Sequence, residues 1–149
     1  RVNDRLVGLP TRFGYTQQLG STADNPSMGQ ELYKYDLQTG IAEVHGLGNV
    51  NGGEPVFVPR GEGGAEDDGW IVLFGHDLST DVSELRIIDA QNFSGLSVAR
   101  VFTHHRVPYG SHGHLFTRCS SQFASTILSL ITRTLPTYLM YLAHLPRSR

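Results

Sequence analysis

Short apolar segments that each end in an aspartate-led turn recur along the first part of the chain, and they constrain the fold more than any other feature. Residues 32–36, 70–74 and 85–89 are rich in β-branched and aromatic side chains, which favour strands. Each segment leads into polar residues whose side chains bond their own backbone in turns. Residues 55–59 and 97–102 predict two more strands. Since no segment of helical periodicity separates them, the sequence predicts an all-β fold of short antiparallel strands, either a propeller or a sandwich.

The acidic residues are confined to one part of the chain. All fourteen lie within residues 1–89, together with six basic residues, whereas residues 90–149 contain six arginines and no acid. This shift divides the chain into two regions of different character. The six arginines are scattered rather than clustered, which argues against nucleic-acid binding. The single cysteine excludes an intramolecular disulfide framework.

Residues 123–145 have a different periodicity from the rest of the chain. Apolar side chains recur there every three or four positions, at Phe123, Ile127, Ile131, Leu135, Leu139 and Leu142. This spacing predicts a helix, but Arg133 and Pro136 interrupt it, which is unlike a membrane span of about twenty apolar residues. An amphipathic helix at a membrane surface and a disordered tail are both consistent with the sequence.

Seven histidines are the first candidates for metal binding, because imidazole is the commonest metal ligand. His112 and His114 are separated by one residue, so on a strand they would project from the same face and could hold zinc or iron. The adjacent His104 and His105 would point to opposite faces, and no carboxylate lies in this segment, which makes a zinc site of these four alone the weaker hypothesis. The remaining three, interpreted as packing or surface residues, are His45, His76 and His144.

Glu54 is the most informative acid. It follows two glycines and precedes Pro55, which disfavours helical backbone and predicts an extended strand start. A carboxylate fixed there could accept the second ring N–H of a metal-binding histidine and set its tautomer, or could simply form a turn. The acids at 66–68 suit either a Ca²⁺ site or a solvated loop. The sequence contains no nucleophile elbow, Walker A motif or dinucleotide-binding glycine motif, so hydrolase and nucleotide-binding functions have no supporting residues.

Several motifs occur in the order typical of one enzyme family. They are Arg-Phe-Gly-Tyr at 12–15, Tyr-Lys-Tyr-Asp at 33–36, Gly-Glu-Pro-Val-Phe-Val-Pro-Arg at 53–60, Glu-Asp-Asp-Gly-Trp at 66–70, Val-Ala-Arg-Val at 98–101 and Arg-Val-Pro-Tyr-Gly-Ser-His-Gly at 106–113. With these motifs, residues 1–113 resemble the C-terminal part of a carotenoid cleavage oxygenase. This family of non-haem iron enzymes includes apocarotenoid oxygenases and bacterial lignostilbene dioxygenases.

The resemblance implies the C-terminal blades of a seven-bladed β-propeller with Fe(2+) on its axis, held by four histidines from different blades. His112 matches the last of these ligands, and Glu54 matches the glutamate that orients it; no residue of this segment is implied as a catalytic acid, base or nucleophile. The other three histidines and two further glutamates are expected upstream of Arg1, in a longer protein. The implied reaction is the O₂-dependent cleavage of a C=C bond in a carotenoid, apocarotenoid or stilbene to carbonyl products. The implied enzyme is cytoplasmic. Because its substrates are apolar, it is expected to associate peripherally with membranes.

The chain departs from the family near its end. Ser111 precedes His112 where the family usually has an aromatic residue, and residues 117–149 match nothing in the family. We therefore expect a propeller part at 1–116 and an atypical tail at 117–149, helical or disordered, that comes from a frame change, a retained intron or an alternative exon. With one metal ligand of four, the isolated chain is expected to be inactive and to aggregate. A catalytically inactive module that binds a partner or a membrane is the alternative function.

Overall fold

The computed structural model describes residues 1–19 and 28–108, and nearly all of the regular secondary structure within them is β-strand. A short 3₁₀ helix, Asp4–Leu6, comes first. The strands follow in chain order as β1 Phe13–Leu19, β2 Met28–Asp36, β3 Ile41–Gly46, β4 Val50–Gly52, β5 Val56–Pro59, β6 Gly69–Asp77, β7 Val82–Asp89 and β8 Ala99–Phe102. The chain divides into two units, Arg1–Leu115 and Phe116–Arg149, and every described residue belongs to the first. The tail predicted at 117–149 therefore lies outside the described residues.

The strands form two antiparallel sheets. The first has the order β1-β2-β3, and the second has the order β4-β6-β7-β8, with β5 also paired to β6. All five strands predicted from the sequence are present, as β2, β5, β6, β7 and β8, although β8 begins at Ala99, two residues later than expected. The predicted all-β fold class is confirmed. Within the described ranges, no helix has the length and hydropathy needed to cross a membrane.

Aspartates close the turns as the sequence predicts. Asp36 Oδ1 accepts the backbone N–H groups two and three positions further on, at 3.0 and 3.3 Å, and Asp77 Oδ1 does the same at 2.8 and 3.3 Å. Asp89 Oδ1 accepts the N–H two positions further on at 2.9 Å. The β2–β3 and β6–β7 turns each end on a residue with positive φ, Gly40 at 72° and Asp81 at 57°. Local side-chain chemistry therefore sets where these strands end.

The hydrophobic core lies between the two sheets. The ring of Tyr15 in β1 stacks on Phe57 in β5 with centroids 5.6 Å apart, and it contacts Phe93 at 6.1 Å. The other buried members of this cluster are Leu32, Leu47, Val50, Ile71, Leu73, Ile88 and Ala90. Burial of each large apolar side chain stabilises the fold by about 1.5–3 kcal/mol, so this shared cluster holds the sheets together.

The sequence at residues 47–53 contains three glycines and predicts a flexible approach to the strand at 55–59, and this prediction is wrong. Val50–Gly52 forms β4, with all three residues buried and paired to β6. A Cβ on Gly52 would lie only 2.7 Å from Leu47 Cδ1 and 2.9 Å from Leu73 Cδ1. The glycine is therefore needed because core side chains fill the space that a side chain would occupy, and not because the backbone must move.

Candidate metal centre

Glu54 lies between β4 and β5, and the structure gives its carboxylate a cationic partner that the sequence did not suggest. Arg1 donates from Nε to Glu54 Oε1 at 2.9 Å and from Nη2 to Oε2 at 3.1 Å. The side chains of Arg1 and Glu54 are 28% and 21% exposed, so the pair is partly shielded from water. The hydrogen bond to Glu54 raises the pKa of the Arg1 guanidinium. A carboxylate oriented by such a pair can accept a ring N–H.

Arg1 is itself attached to the first sheet. Its backbone nitrogen donates to the carbonyl of Tyr15 at 2.6 Å, and the N–H of Tyr15 donates to the carbonyl of Arg1 at 2.7 Å. Because Tyr15 belongs to the core, these bonds fix the direction from which Arg1 reaches Glu54.

The histidines predicted as metal ligands are not brought together by the described residues. His112 and His114 lie outside them, and His104 and His105 are exposed in the bend that follows β8. Among residues 1–19 and 28–108 no three His, Cys, Asp or Glu side chains are placed to hold a metal ion. The described residues therefore do not make a metal site by themselves. The roles assigned to Glu54 and His112, and the zinc hypothesis for His104–His114, stay predictions.

The segments that lead to Glu54 and His112 are both attached to the same end of β6. The N–H of Gly53 donates to the carbonyl of Phe74 in β6 at 2.6 Å. On the other side, the N–H of Val107 donates to Ser83 Oγ at 3.0 Å, and Ser83 Oγ bonds His76 Nδ1 at 3.1 Å. Phe74 and His76 are two positions apart in β6. β6 therefore binds the segment that leads to Glu54 directly. It binds the segment that leads to His112 through the side chain of Ser83.

The start of the segment after β8 is fixed on β7 by further bonds. The N–H and the hydroxyl of Thr103 donate to the carbonyl of Ser83 at 2.8 and 3.1 Å, and the hydroxyl also reaches the carbonyl of His105 at 2.8 Å. The sequence did not predict that Ser83 binds this segment. In the sequence, Ser83 is only a small polar residue at the start of an apolar strand.

Asp81, His76 and Ser83 are linked in the order of a hydrolase triad, but their exposure is inverted. His76 Nε2 lies 3.0 Å from Asp81 Oδ1 and its Nδ1 bonds Ser83. Ser83 is only 1% exposed and its hydroxyl oxygen already accepts from Val107, whereas the side chain of Asp81 is 88% exposed. A nucleophilic serine must be reachable by substrate. The three residues therefore stabilise the hairpin and its neighbouring segment, and His76 is structural as interpreted.

His45 is also structural. It is buried at the end of β3, where Nδ1 bonds the carbonyl of Phe93 at 2.9 Å and Nε2 lies 3.3 Å from Ser97 Oγ. The carbonyl partner requires an Nδ1–H, so Nε2 accepts from the Ser97 hydroxyl. Burial lowers the pKa of His45, which keeps the ring neutral.

The acids at 66–68 form an acidic clasp rather than the expected Ca²⁺ site or solvated loop. Glu66 Oε1 accepts the backbone N–H groups of Arg12 and Phe13 at 2.8 and 2.7 Å. Asp67 Oδ2 accepts from the nearly buried Lys34 Nζ at 2.9 Å, and Asp68 pairs with the neighbouring Arg60 at 3.4 Å. We call Glu66, Asp67 and Asp68 with these partners the acidic clasp. Their oxygens bind the protein's own donors, which ties this loop to β1 and β2.

Comparison with known proteins extends the similarity over most of the chain. The model of the retinal pigment epithelial membrane protein family matches residues 1–117. Apocarotenoid-15,15'-oxygenase of Synechocystis is 35% identical over 117 residues, and carotenoid 9,10(9',10')-cleavage dioxygenase of Crocus sativus is 33% identical over 142 residues. These alignments cover 75% and 85% of this chain. Among solved structures, cobalt-substituted Synechocystis ACO matches 76% of this chain with a TM-score of 0.66 and 33% sequence identity.

The chain spans about a quarter of the length of these relatives, 23% of the Synechocystis protein and 25% of the Crocus protein. The matched part contains every motif on which the resemblance to carotenoid cleavage oxygenases rests, so that resemblance is confirmed. Since the family model covers most of its residues, the chain belongs to the retinal pigment epithelial membrane protein family, which includes the carotenoid and apocarotenoid cleavage oxygenases.

Proposed function

We propose that this chain is the C-terminal portion of a non-haem Fe(2+) dioxygenase that uses O₂ to cleave a C=C bond of carotenoids, apocarotenoids or stilbenes to carbonyl products. Family membership and the names of the related cleavage oxygenases support the reaction class. The observation that carries the proposal for this chain is the common attachment of two segments to β6, one leading to Glu54 and the other to His112. These are the two residues that the family motifs assign to metal binding.

In this proposal His112 is a ligand of Fe(2+) and Glu54 accepts the second ring N–H of His112. The accepted hydrogen bond sets the tautomer and the orientation of the ring and raises its basicity. Arg1 holds the Glu54 carboxylate in place from its other side. The bound metal supplies the oxidative chemistry with O₂, while this chain supplies ligand geometry. The remaining ligands come from parts of a longer protein, in keeping with relatives about four times as long.

Residues 1–116, which include the two sheets, would then form the C-terminal part of a seven-bladed propeller. Residues 117–149 would be a separate tail. The proposal places the enzyme in the cytoplasm. It associates peripherally with membranes, because its apolar polyene or stilbene substrates partition into them. Attachment at a membrane surface requires no spanning helix.

The proposal is tested in the protein encoded by the complete transcript, which is sequenced across both ends of this segment. We expect three further strand-borne histidines upstream. The purified protein should retain iron and convert an apocarotenal to shorter carbonyl products, measured by metal analysis and chromatography. His112→Ala should lose both iron and activity. The matched control is His105→Ala, which removes an exposed imidazole from the same segment and should leave both unchanged.

Two results would count against the enzyme. A His112→Ala protein that keeps its iron and its activity would remove His112 from the site. A transcript that encodes only this chain would favour the alternative, an inactive module that binds a partner or a membrane through the tail. Deletion of residues 117–149 separates these outcomes, because a binding module would lose its partner and the enzyme would keep its iron.

A further inference from the structure

Both ends of the segment that follows β8, residues 103–107, are bonded to one residue, Ser83. At the start of the segment, the N–H and the hydroxyl of Thr103 donate to the Ser83 carbonyl at 2.8 and 3.1 Å. At its end, the N–H of Val107 donates to Ser83 Oγ at 3.0 Å. The backbone of Ser83 therefore holds one end of the segment, and its side chain holds the other. We call residues 103–107 the Ser83 loop.

The end that is held by the hydroxyl is the one that leads to His112. Pro108 follows Val107; it disfavours helical backbone at Val107 and has no N–H of its own. Four residues, 108–111, separate Val107 from His112. The Val107 N–H is thus the last backbone donor before the proline, and its bond to Ser83 fixes the direction in which the chain leaves the Ser83 loop.

Ser83 Oγ is in turn oriented by His76. The two residues are 1% and 4% exposed, and Oγ lies 3.1 Å from His76 Nδ1. His76 Nε2 lies 3.0 Å from Asp81 Oδ1, and because an ionised carboxylate only accepts, Nε2 carries a proton. A ring with this proton alone accepts the Ser83 hydroxyl at Nδ1. The lone pairs of Oγ then remain for the Val107 N–H.

We propose that Ser83, oriented by His76, is a positioning residue for the proposed metal centre, because its hydroxyl fixes the start of the chain that carries His112. The inference rests on the proposed function, in which His112 binds Fe(2+). Gly53, which precedes Glu54, is bonded to β6 independently of Ser83. A displaced Val107 would therefore change the placement of His112 relative to Glu54.

This assignment does not come from the family motifs. Neither Ser83 nor His76 lies in any of the motifs on which the resemblance rests, at 12–15, 33–36, 53–60, 66–70, 98–101 and 106–113. Their role follows from the hydrogen bonds that join β6 and β7 to the Ser83 loop.

The first test is hydrogen exchange, followed by mass spectrometry, in the metal-free form of the protein encoded by the complete transcript. Ser83→Ala removes the acceptor of the Val107 N–H, so exchange at Val107 should become about tenfold faster. Exchange at Thr103 should change little, because its N–H bonds the Ser83 backbone carbonyl, which the substitution keeps. Unchanged exchange at Val107 would overturn the proposal. So would equal acceleration at Thr103 and Val107, since the side chain would then not act on one end of the loop.

The second test is the rate at which the iron-loaded protein loses iron to an external chelator. Ser83→Ala should lose iron roughly threefold to tenfold faster, because removal of a residue that bonds a metal ligand directly costs about 10- to 100-fold and Ser83 acts further from the metal. Ser83→Thr keeps a hydroxyl and should restore the parent rate. The matched control is Ser79→Ala, which removes a serine hydroxyl bonded to Asp77 in the exposed turn of the same hairpin and should behave like the parent.

Asp81 tests the same hydrogen bonds without a change in the core, which keeps the proposal falsifiable where a Ser83 variant does not fold. Its φ of 57° is one that glycine adopts without strain, so Asp81→Gly removes the carboxylate and keeps the turn. This variant should speed exchange at Val107 by less than Ser83→Ala does. Asp81→Asn keeps an acceptor oxygen and should behave like the parent. Equal exchange at Val107 in the two Asp81 variants would overturn the role of His76.

The iron measurement separates this proposal from the proposed function. A parent protein that holds no iron would overturn both together. Equal rates of iron loss from an iron-loaded parent and Ser83→Ala would overturn the role of Ser83 alone.

Discussion

The acidic clasp and the surroundings of Glu84 show two ways in which one chain uses buried or half-buried charge. In the clasp, Asp67 has Lys34, Glu66 has two backbone N–H groups, and Asp68 shares Arg60 with Asp89. Glu84, in contrast, is 0% exposed and pairs with both Arg86 and Arg100, and we call these three residues the arginine cluster. The acids of the clasp are thus spread over several partners near the surface, whereas one buried carboxylate joins β7 to β8.

The largest effect is expected where one residue serves two partners. Glu84→Gln removes the buried carboxylate that pairs with the cross-strand neighbours Arg86 and Arg100, and it should lower the free energy of unfolding by about 3–5 kcal/mol. Urea unfolding followed by circular dichroism measures the change. Glu62→Gln, at an exposed position of the glycine-rich loop, is the matched control and should have little effect. Equal losses in the two variants would show that Glu84 is not essential to the cluster.

The clasp should respond less, because its acids lie nearer to water. Lys34 Nζ is bonded to Asp67 at 2.9 Å and to the carbonyl of Ala90 at 2.8 Å, and its side chain is 4% exposed. Lys34→Met should lower the free energy of unfolding by about 2 kcal/mol, since the Asp67 carboxylate can rehydrate. Arg60 is 43% exposed and pairs with Asp68 and Asp89, each 29% exposed, so Arg60→Met should cost less than about 1 kcal/mol in the same urea experiment. A larger loss for Arg60→Met than for Lys34→Met would reverse this ranking of the pairs.

Glu66 tests whether backbone donors can replace a cationic partner. Its carboxylate accepts from Arg12 and Phe13 at the start of β1. Glu66→Gln keeps one carbonyl oxygen but loses the charge, and it should lower the free energy of unfolding by about 1 kcal/mol. Hydrogen exchange at the Phe13 amide should speed up more than exchange at core amides. Unchanged protection of Phe13 would mean that the bond to Glu66 does not secure the start of β1.

The smallest effect is expected at the surface pair of Arg12 and Asp36, whose side chains are 44% and 16% exposed. The hydrogen bond from Arg12, with help from turn N–H groups, lowers the pKa of Asp36. A carboxyl group with a depressed folded-state pKa stabilises the fold above its unfolded pKa of about 3.9, and that stabilisation is lost as the pH falls through the folded value. Asp36→Asn should therefore reduce the fall in melting temperature below about pH 4. The prediction would be contradicted if the melting temperature of Asp36→Asn fell below pH 4 as steeply as that of Glu62→Gln.

The strands that could be predicted from sequence are those with local signals. Residues 32–36, 70–74 and 85–89 combine strand-forming side chains with an aspartate that closes its own turn, and both features act within a few residues. β1 and β3 were not predicted, because β1 contains glycine and glutamine and β3 alternates only weakly. They are strands because β2 pairs with both.

The candidate site was predicted from family motifs, and its surroundings could not be. Arg1 and Glu54 are 53 positions apart, so no local pattern joins them. The clasp similarly joins Lys34 to Asp67 across 33 positions, and the sequence therefore indicated only a loop of acids. Ser83 was missed because its importance comes from its two neighbours, His76 and Val107, rather than from its own residue type.

β6 fixes the distance between two attached segments as well as the position of each. It holds Gly53 at Phe74 and, through Ser83, Val107 at His76. A tilt or shift of the whole strand would carry both attached segments in the same direction, so the spacing between them would be preserved. Substitutions in the core can therefore reorient this sheet without changing that spacing. A bulge between residues 74 and 76 would alter it, and so would a shift of Ser83 along β7, so the pairing of these two strands sets the distance between the attached segments.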